Sequence, residues 1–399
     1  MAMKPGKIRS GAMKSVELFV GAGGLGIGVS QAGFKPVAVV DWDKWACDTI
    51  RQNKERGLPV MSSWPLTEGD VSTFDFKGLN EQVDLVTGGP PCQPFSLGGQ
   101  HRAFLDKRDM FPQAVRAVRE LRPRAFVFEN VKGLTRSTFA NYLEYIRLQL
   151  RHPDLIARAQ EPWLDHLTRL EDYETKGQHD GLLYNVVMRV LNAADYGVPQ
   201  RRERVFIVGF RADTSVEWHF PAPTHSQDAL LWWQYRSNLY WDLHRVAKKD
   251  RPETRRGAAR AAQLRSFPQI EPWQTVRDAI ADLPDPELQP GVASRYHDHR
   301  LQAGARSYPG HTGSPLDEPA KTLKAGVHGV PGGENMLRRP DGSVRYFTIR
   351  ESARLQTFPD EMVFHGSWTE TMRQLGNAVP CRLAATVVSQ VRDCLKQIS

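Results

Sequence analysis

Ser15-Val16-Glu17-Leu18-Phe19-Val20-Gly21-Ala22-Gly23-Gly24-Leu25-Gly26-Ile27-Gly28 is the stretch that decides the fold of this chain. The run from Ser15 to Val20 is mostly apolar and predicts a strand. The glycines predict a tight turn, and the residues through Ser30 and Ala32 predict a helix. Strand, glycine-rich turn and helix together open a nucleotide- or adenosine-binding α/β unit. Pro36 to Val40 predicts a second strand, ending at Asp41-Trp42-Asp43. An acid at that strand end, about 20 residues on, suits a pair of ribose hydroxyls, and Trp42 beside it could stack on an adenine face. Asp43 better fits a helix N-cap before Lys44-Trp45-Ala46. The glycine spacing is not G-x-G-x-x-G, and the apolar cluster favours an adenosine ligand without a diphosphate, such as S-adenosylmethionine. A third strand-like piece ends at Gly69-Asp70-Val71. There Asp70 could accept from the adenine amine while Val71 packs on the ring, or Asp70 could be a plain turn residue.

Working outward, Val83 to Val86 predicts a buried parallel strand that breaks at Gly88-Gly89-Pro90-Pro91-Cys92-Gln93-Pro94-Phe95-Ser96. The prolines stiffen this loop. Cys92 sits where a parallel sheet places its ligands, at the carboxyl ends of the strands. On the loop alone, a nucleophile and a buried structural cysteine remain open. Gly98 to Arg108 reads as a long active-site loop. Phe111 to Leu121 reads as an amphipathic helix, and Arg124 to Phe128 as a strand delivering Glu129-Asn130-Val131 to the edge that carries Cys92.

Composition narrows the class. The 399 residues allow two or three domains, with 25% charged and 40% apolar residues, an ordinary globular mixture. No apolar run reaches the roughly 20 residues of a membrane span, so no membrane partner is expected. Residues 1–14 carry Lys4, Lys7, Arg9 and Lys14 without an apolar stretch, which predicts a loose tail rather than a signal peptide. Cys47, Cys92, Cys381 and Cys394 show no paired spacing; no metal site and a reduced, cytoplasmic setting are expected. A net charge of +8 fits a polyanionic partner.

Eight short blocks then stand in order. They are Phe19-Val20-Gly21-Ala22-Gly23-Gly24, Asp41-Trp42, Gly69-Asp70-Val71, Pro90-Pro91-Cys92-Gln93, Phe128-Glu129-Asn130-Val131, Gln200-Arg201-Arg202-Glu203-Arg204, Arg350-Glu351-Ser352-Ala353-Arg354-Leu355-Gln356 and Gln374-Leu375-Gly376-Asn377-Ala378-Val379-Pro380. In these blocks the chain resembles the cytosine-C5 DNA methyltransferases of bacterial or phage restriction-modification systems. The resemblance spans residues 15 to 380. It implies a Rossmann-like α/β fold with a mixed, mostly parallel seven-stranded sheet, and a smaller, irregular target-recognition domain.

The resemblance also implies roles. Cys92 would add to C6 of a flipped cytosine, and Glu129 would bind its N3 and N4 edge and lend a proton. Asn130 would brace the loop. Arg204 and Arg202, spaced by two on a strand and so on one face, would stabilise the flipped base, with Arg204 nearest its O2. Phe19, Gly21, Gly24, Asp41, Trp42, Asp70, Val71 and Pro91 would line the S-adenosylmethionine pocket, completed by Asn377 and Val379. The segment Pro380 to Leu395 would return as a helix beside the first strand. Double-stranded DNA would be the partner, protection of host DNA the purpose, and a monomer the working state.

The chain departs from the family in small ways. Asp41 stands where Glu is commoner, Glu17 where Asp is commoner, and Asp106 to Phe111 looks one residue short. The domain reading is a tail at 1–14, a catalytic domain at 15–210 with a charged insertion near 151–181, a recognition domain at 211–344 and a returning segment at 345–399. The insertion reads as a solvated helix and loop. Arg245 to Arg265 is strongly basic and suits phosphate or a solvated loop equally. Leu230 to Trp233 and Tyr240-Trp241 read as buried faces, and Thr348 as an N-cap. Arg350, Glu351 and Arg354 read as a structural ion network. Competing readings are a tRNA cytosine methyltransferase of the same fold, a DNA-binding homologue without activity, and a nicotinamide dehydrogenase. The last leaves the cysteine loop unexplained.

Overall fold

The computed structural model describes residues 11–91, 109–177, 180–252, 254–309, 312–325 and 335–398. Cys92 and the Gly98 to Arg108 stretch lie outside the described residues. The chain divides into two compact units. One comprises 1–191, 203–220 and 385–399, the other 192–202 and 221–384.

The first unit is a seven-stranded sheet. Its strands are β1 (Lys14–Leu18), β2 (Lys35–Asp41), β3 (Leu66–Glu68), β4 (Leu85–Gly88), β5 (Ala125–Val131), β6 (Tyr184–Asn192) and β7 (Glu203–Arg211). They lie in the order β3-β2-β1-β4-β5-β7-β6. The pairs from β3 through β5 are parallel, and β7 runs antiparallel to β5. The mixed, mostly parallel seven-stranded expectation therefore holds. Parallel strands are covered on both faces and so read as apolar runs. Val16, Leu18, Val40, Val86, Phe126, Phe128 and Ile207 join one core with Val115 and Val118 of the helix α3 (Phe111–Leu121). The helices α1 (Gly24–Gln31) and α2 (Lys44–Glu55) follow β1 and β2, as the turn-then-helix pattern predicts. Near the chain's end, Arg392 donates to Ala32 O at 2.9 Å and Arg124 donates to Leu395 O at 2.8 Å. The final helix, Cys381–Gln397, thus returns to the first unit, where its residues 392 and 395 are held at the end of α1 and just ahead of β5.

Two helices, α4 (Ala140–Arg151) and α5 (Trp163–Lys176), follow β5. The charged insertion is not wholly solvated. His166, Leu167 and Leu170 of α5 are buried, and His166 shares a 2.9 Å hydrogen bond with the Tyr145 hydroxyl of α4. The charges occupy the outer face, where Arg169 pairs with Glu161 and Arg151 with Glu174.

The second unit begins earlier in the chain and ends later than the sequence suggested. It takes in 192–202 and extends to 384 rather than stopping near 344. The cause is a set of buried hydrogen bonds. Gln200 donates to Leu355 O at 3.2 Å and accepts from Leu323 N at 3.0 Å, while Gln356 donates to Leu375 O at 2.6 Å. A helix at Ile349–Leu355 opens with the expected Thr348 cap, reinforced by Glu351. Arg345 forks onto Glu351 through two 2.7 Å bonds, and Arg354 pairs with Asp282 and Asp360. Arg350 mainly holds carbonyls, those of His297, Pro359 and Met362. Leu230, Tyr240 and Trp241 form a small core, while Arg255–Gln263, within the basic stretch, is a helix capped by Thr254.

Candidate active site

Parallel strands send their carboxyl ends to one edge. Phe19–Gly23 follows β1, Asp41 closes β2, Gly69–Val71 follows β3, Gly89–Pro91 follows β4 and Glu129–Val131 closes β5. Because β7 is antiparallel, its start lies at that same edge, with Val131 opposite Arg204.

The glycine turn is shaped by its backbone. Gly21 has φ +55° and Gly23 φ +94°, and Phe19, which is not a glycine, is held at φ +53°. A side chain is strained in this region, and such strain gathers at working sites. A Cβ on Gly23 would lie 2.8 Å from Met61 Cε and 3.0 Å from the Trp64 ring. Trp64 is fully buried and donates to Ser30 Oγ at 3.0 Å, so one indole sits under the turn and α1 together. Neither Met61 nor Trp64 stood out in the sequence, since a lone tryptophan in a loop carries no positional signal.

Asp41 is buried and joins two strand ends. Its Oδ2 accepts from Gly21 N at 2.7 Å and its Oδ1 from Asp43 N at 2.8 Å. Burial raises its pKa from the ordinary value, and these backbone bonds oppose the rise. Each carboxylate oxygen keeps acceptor capacity for a further donor. Trp42 is 74% exposed, a free indole face beside the turn. Asp43 caps α2 by accepting from Ala46 N at 2.9 Å. Asp70 is exposed and accepts from Ser72 N at 2.8 Å, capping the short helix Val71–Thr73, while Val71 is buried. The turn role and the strand-end position thus coexist in Asp70. Open space at Gly21, where an added Cβ meets nothing within 4 Å, an exposed indole and a carboxylate between them fit an adenosine-bearing group.

The loop after β4 that leads to Cys92 is described up to Pro91. Asn130 Nδ2 donates to Pro90 O at 2.9 Å, and Met110 N donates to Pro91 O at 3.1 Å. Asn130 therefore braces the loop, as expected, and the chain rejoins Pro91 at Met110. The α3 start is tied as well. Asp109 accepts from Phe111 N at 3.2 Å and from the Tyr142 hydroxyl at 2.5 Å.

Glu129 lies directly beside this loop. A Cβ added to Gly89 would stand 3.4 Å from Glu129 Oε2. Glu129 Oε1 pairs with Arg204 Nε at 2.8 Å, with both side chains about a tenth exposed, at 8% and 11%. Burial lowers the Arg204 pKa from its ordinary value, and the Glu129 charge opposes it. The two residues are diagonal neighbours across β5 and β7, within side-chain reach.

Arg202 departs from expectation. The strand begins at Glu203, so Arg202 does not share a strand face with Arg204. It is fully buried in the second unit, donating to Leu323 O at 2.9 Å, Gly376 O at 2.6 Å and Ala378 O at 2.9 Å. A Cβ on Gly376 would fall 2.3 Å from Ala325 N, which explains a glycine there. Asn377 and Val379 also belong to the second unit. Asn377 is exposed at the end of the helix Trp368–Asn377, and Val379 is buried in the turn that follows.

Among the described residues no helix is long and apolar enough to cross a membrane, and no cluster of three or more His, Cys, Asp or Glu could hold a metal.

A profile of C-5 cytosine-specific DNA methylases matches residues 13–153 and 172–393, passing over 154–171 in the insertion. The chain is 33% identical over 401 aligned positions to the type II methyltransferase M.PspPI of Psychrobacter sp. (strain TA137), covering 97% of this chain and 80% of that one. It is 31% identical to the type II methyltransferase M.Eco47II of Escherichia coli, covering 98% and 82%. In fold it is similar to the Dnmt2 methyltransferase of S. pombe, with a TM-score of 0.57, 17% identity, and coverage of 96% of this chain and 99% of that one.

Proposed function

The chain belongs to the C-5 cytosine-specific DNA methylase family and is a DNA cytosine-5-methyltransferase, and on that premise we propose that Cys92, Glu129 and Arg204 carry its chemistry. The observation that carries this reading is the buried Glu129–Arg204 pair, standing beside Gly89 on the loop that leads to Cys92.

Cytosine C5 is too weak a nucleophile to take a methyl group unaided. The Cys92 thiolate adds to C6, the ring gains a proton at N3, and the resulting enamine pushes electrons to C5. Glu129 is placed to meet the N3 and N4 edge and to supply that proton. Arg204 pairs with Glu129 Oε1 while Oε2 stands on the loop side, toward Gly89, and the positive charge of Arg204 favours the developing anion at O2. After methyl transfer a base removes the C5 proton, and elimination across C5–C6 releases Cys92. Asn130, by holding Pro90, fixes where the loop leaves β4. The target base leaves the duplex to reach this edge.

S-adenosylmethionine, when bound, supplies an electrophilic sulfonium methyl. The residues that would hold it are Phe19, Gly21 and Gly24 in the turn, Asp41 for the ribose, Trp42 and Val71 on the adenine faces, Asp70 at its amine, and Pro91. Asp41 is short, but its grip on Gly21 N draws the turn close to the carboxylate. Arg202 has no part in the chemistry of this proposal. The basic second unit is the reader of double-stranded DNA, and the type II relatives point to a restriction-modification setting.

Transfer of tritiated methyl groups to duplex DNA, with tRNA in parallel, tests the reading. Wild-type protein labels duplex DNA at cytosine and Cys92→Ser does not; labelling by Cys92→Ser at the wild-type rate refutes the mechanism, and labelling of tRNA alone refutes the substrate.

A further inference from the structure

Arg116 lies on α3, outside every block that the family resemblance picks out. Its guanidinium nevertheless reaches across to the segment after β3. Nη2 donates to Val71 O at 2.6 Å, to Phe74 O at 3.2 Å and to Ser72 O at 3.4 Å, and Nη1 donates to Phe74 O at 3.2 Å. The plane is held from behind as well. Nε donates to Gln113 Oε1 at 2.9 Å, Glu120 stands 3.4 Å from Nη1, and Cζ lies 4.5 Å from the centre of the Phe76 ring. Phe76 in turn packs on Phe74, with ring centres 5.1 Å apart.

What Arg116 clasps is a helix of three residues, Val71–Thr73. Within it, Phe74 N donates to Val71 O and Thr73 N to Asp70 O, which is little to fix a turn in space. So short a helix does not hold itself, and its position depends on what grips it from outside. Asp70 caps this turn and Val71 opens it, so the two residues proposed to meet adenine ride on it. The same α3 accepts no slack at its start, because Met110 N is bonded to Pro91 O.

We propose that Arg116 is a positioning residue for adenine recognition: by clasping the carbonyls of Val71, Ser72 and Phe74, it holds Asp70 and Val71 in register with the adenine edge and ring. This rests on the reading of Asp70 and Val71 as the adenine site. A lysine cannot replace the fork. It carries a point charge, lacks the planar group that stacks on Phe76, and cannot serve several carbonyls in one plane.

The test is the ratio of affinities of the full chain for S-adenosylhomocysteine and for S-inosylhomocysteine, measured by calorimetry. The inosyl compound differs at the edge that Asp70 would meet, so the ratio reads the register of the turn rather than general stability. Wild-type protein should favour the adenosyl compound by roughly tenfold or more, as a site built around a hydrogen-bonding group does. In Arg116→Gln and Arg116→Lys the adenosyl affinity should fall roughly tenfold, the scale of one lost hydrogen bond to adenine, and the ratio should approach unity. Phe76→Leu, which removes the stacking partner and keeps the arginine, should lower the ratio in the same direction and covers the case in which Arg116→Gln does not fold. A ratio unchanged in folded variants overturns the role of Arg116. A wild-type ratio near unity overturns the adenine reading of Asp70 and Val71, and the proposal with it.

Discussion

Glu17→Gln makes the sharpest test of the electrostatics beneath the site. Glu17 lies in β1, opposite Thr87 of β4, and is 1% exposed. The two strands end in the glycine turn and in the loop that leads to Cys92. Burial raises the Glu17 pKa from 4.5 to about 7, offset in part by the Thr87 and Ser15 hydroxyls. An acid whose folded pKa is raised keeps its proton longer in the folded state than in the unfolded one. Its share of stability is therefore whole at low pH, falls as pH rises from 4.5, and levels off above about 7. At about 1.4 kcal/mol per tenfold change, the full loss is about 3 kcal/mol, of which about 2.5 falls between pH 5 and 8. Glutamine keeps the shape and cannot titrate. Urea unfolding of wild type and Glu17→Gln, repeated from pH 5 to pH 8.5, should show the difference between them moving toward the variant by about 2.5 kcal/mol. Two parallel curves would refute the argument, because a paired or solvated carboxylate would give no such drift.

Two further outcomes separate the structural Arg202 from the acid of the site. Arg202→Met should lower stability by about 3 kcal/mol in urea unfolding, since buried carbonyls at residues 323, 376 and 378 lose their donor; a loss below about 1 kcal/mol would contradict the bracing role. Glu129→Gln should slow single-turnover methyl transfer by about a hundredfold or more, the scale of a lost general acid, and a variant retaining a tenth of the wild-type rate would remove Glu129 from that role.

The sheet was legible because its strands are buried on both faces and end in glycine or an acid, as at Val20-Gly21 and Val40-Asp41. Phe111–Leu121 was legible to the residue, since its amphipathic face has one period and a proline starts it. The brace from Asn130 to Pro90 was also expected. Arg202 was misplaced for a local reason: period-two alternation applies only inside a strand, and β7 starts one residue after it. The insertion misled because its charges outnumber the few residues, His166, Leu167 and Leu170, that sink one face. The Glu129–Arg204 pair was legible as two strand-end residues but not as a bond, because only an antiparallel β7 brings Arg204 back to the edge of Glu129. Arg116 and Trp64 act across distances of about 40 residues, where sequence carries no pattern. Glu17 looked like a minor exchange, since the apolar run predicts a buried strand but not the proton that burial makes its carboxyl keep.

The partners of Arg202 carry one more consequence. The oxygens of Leu323, Gly376 and Ala378 that receive it are main-chain oxygens, as is the Leu355 oxygen that receives Gln200. Main-chain oxygens are supplied by any amino acid. Long polar side chains that grip peptide groups place little demand on the sequence they grip. The segments that carry residues 323, 376 and 378 can thus change their side chains while Arg202 keeps the same hold on them.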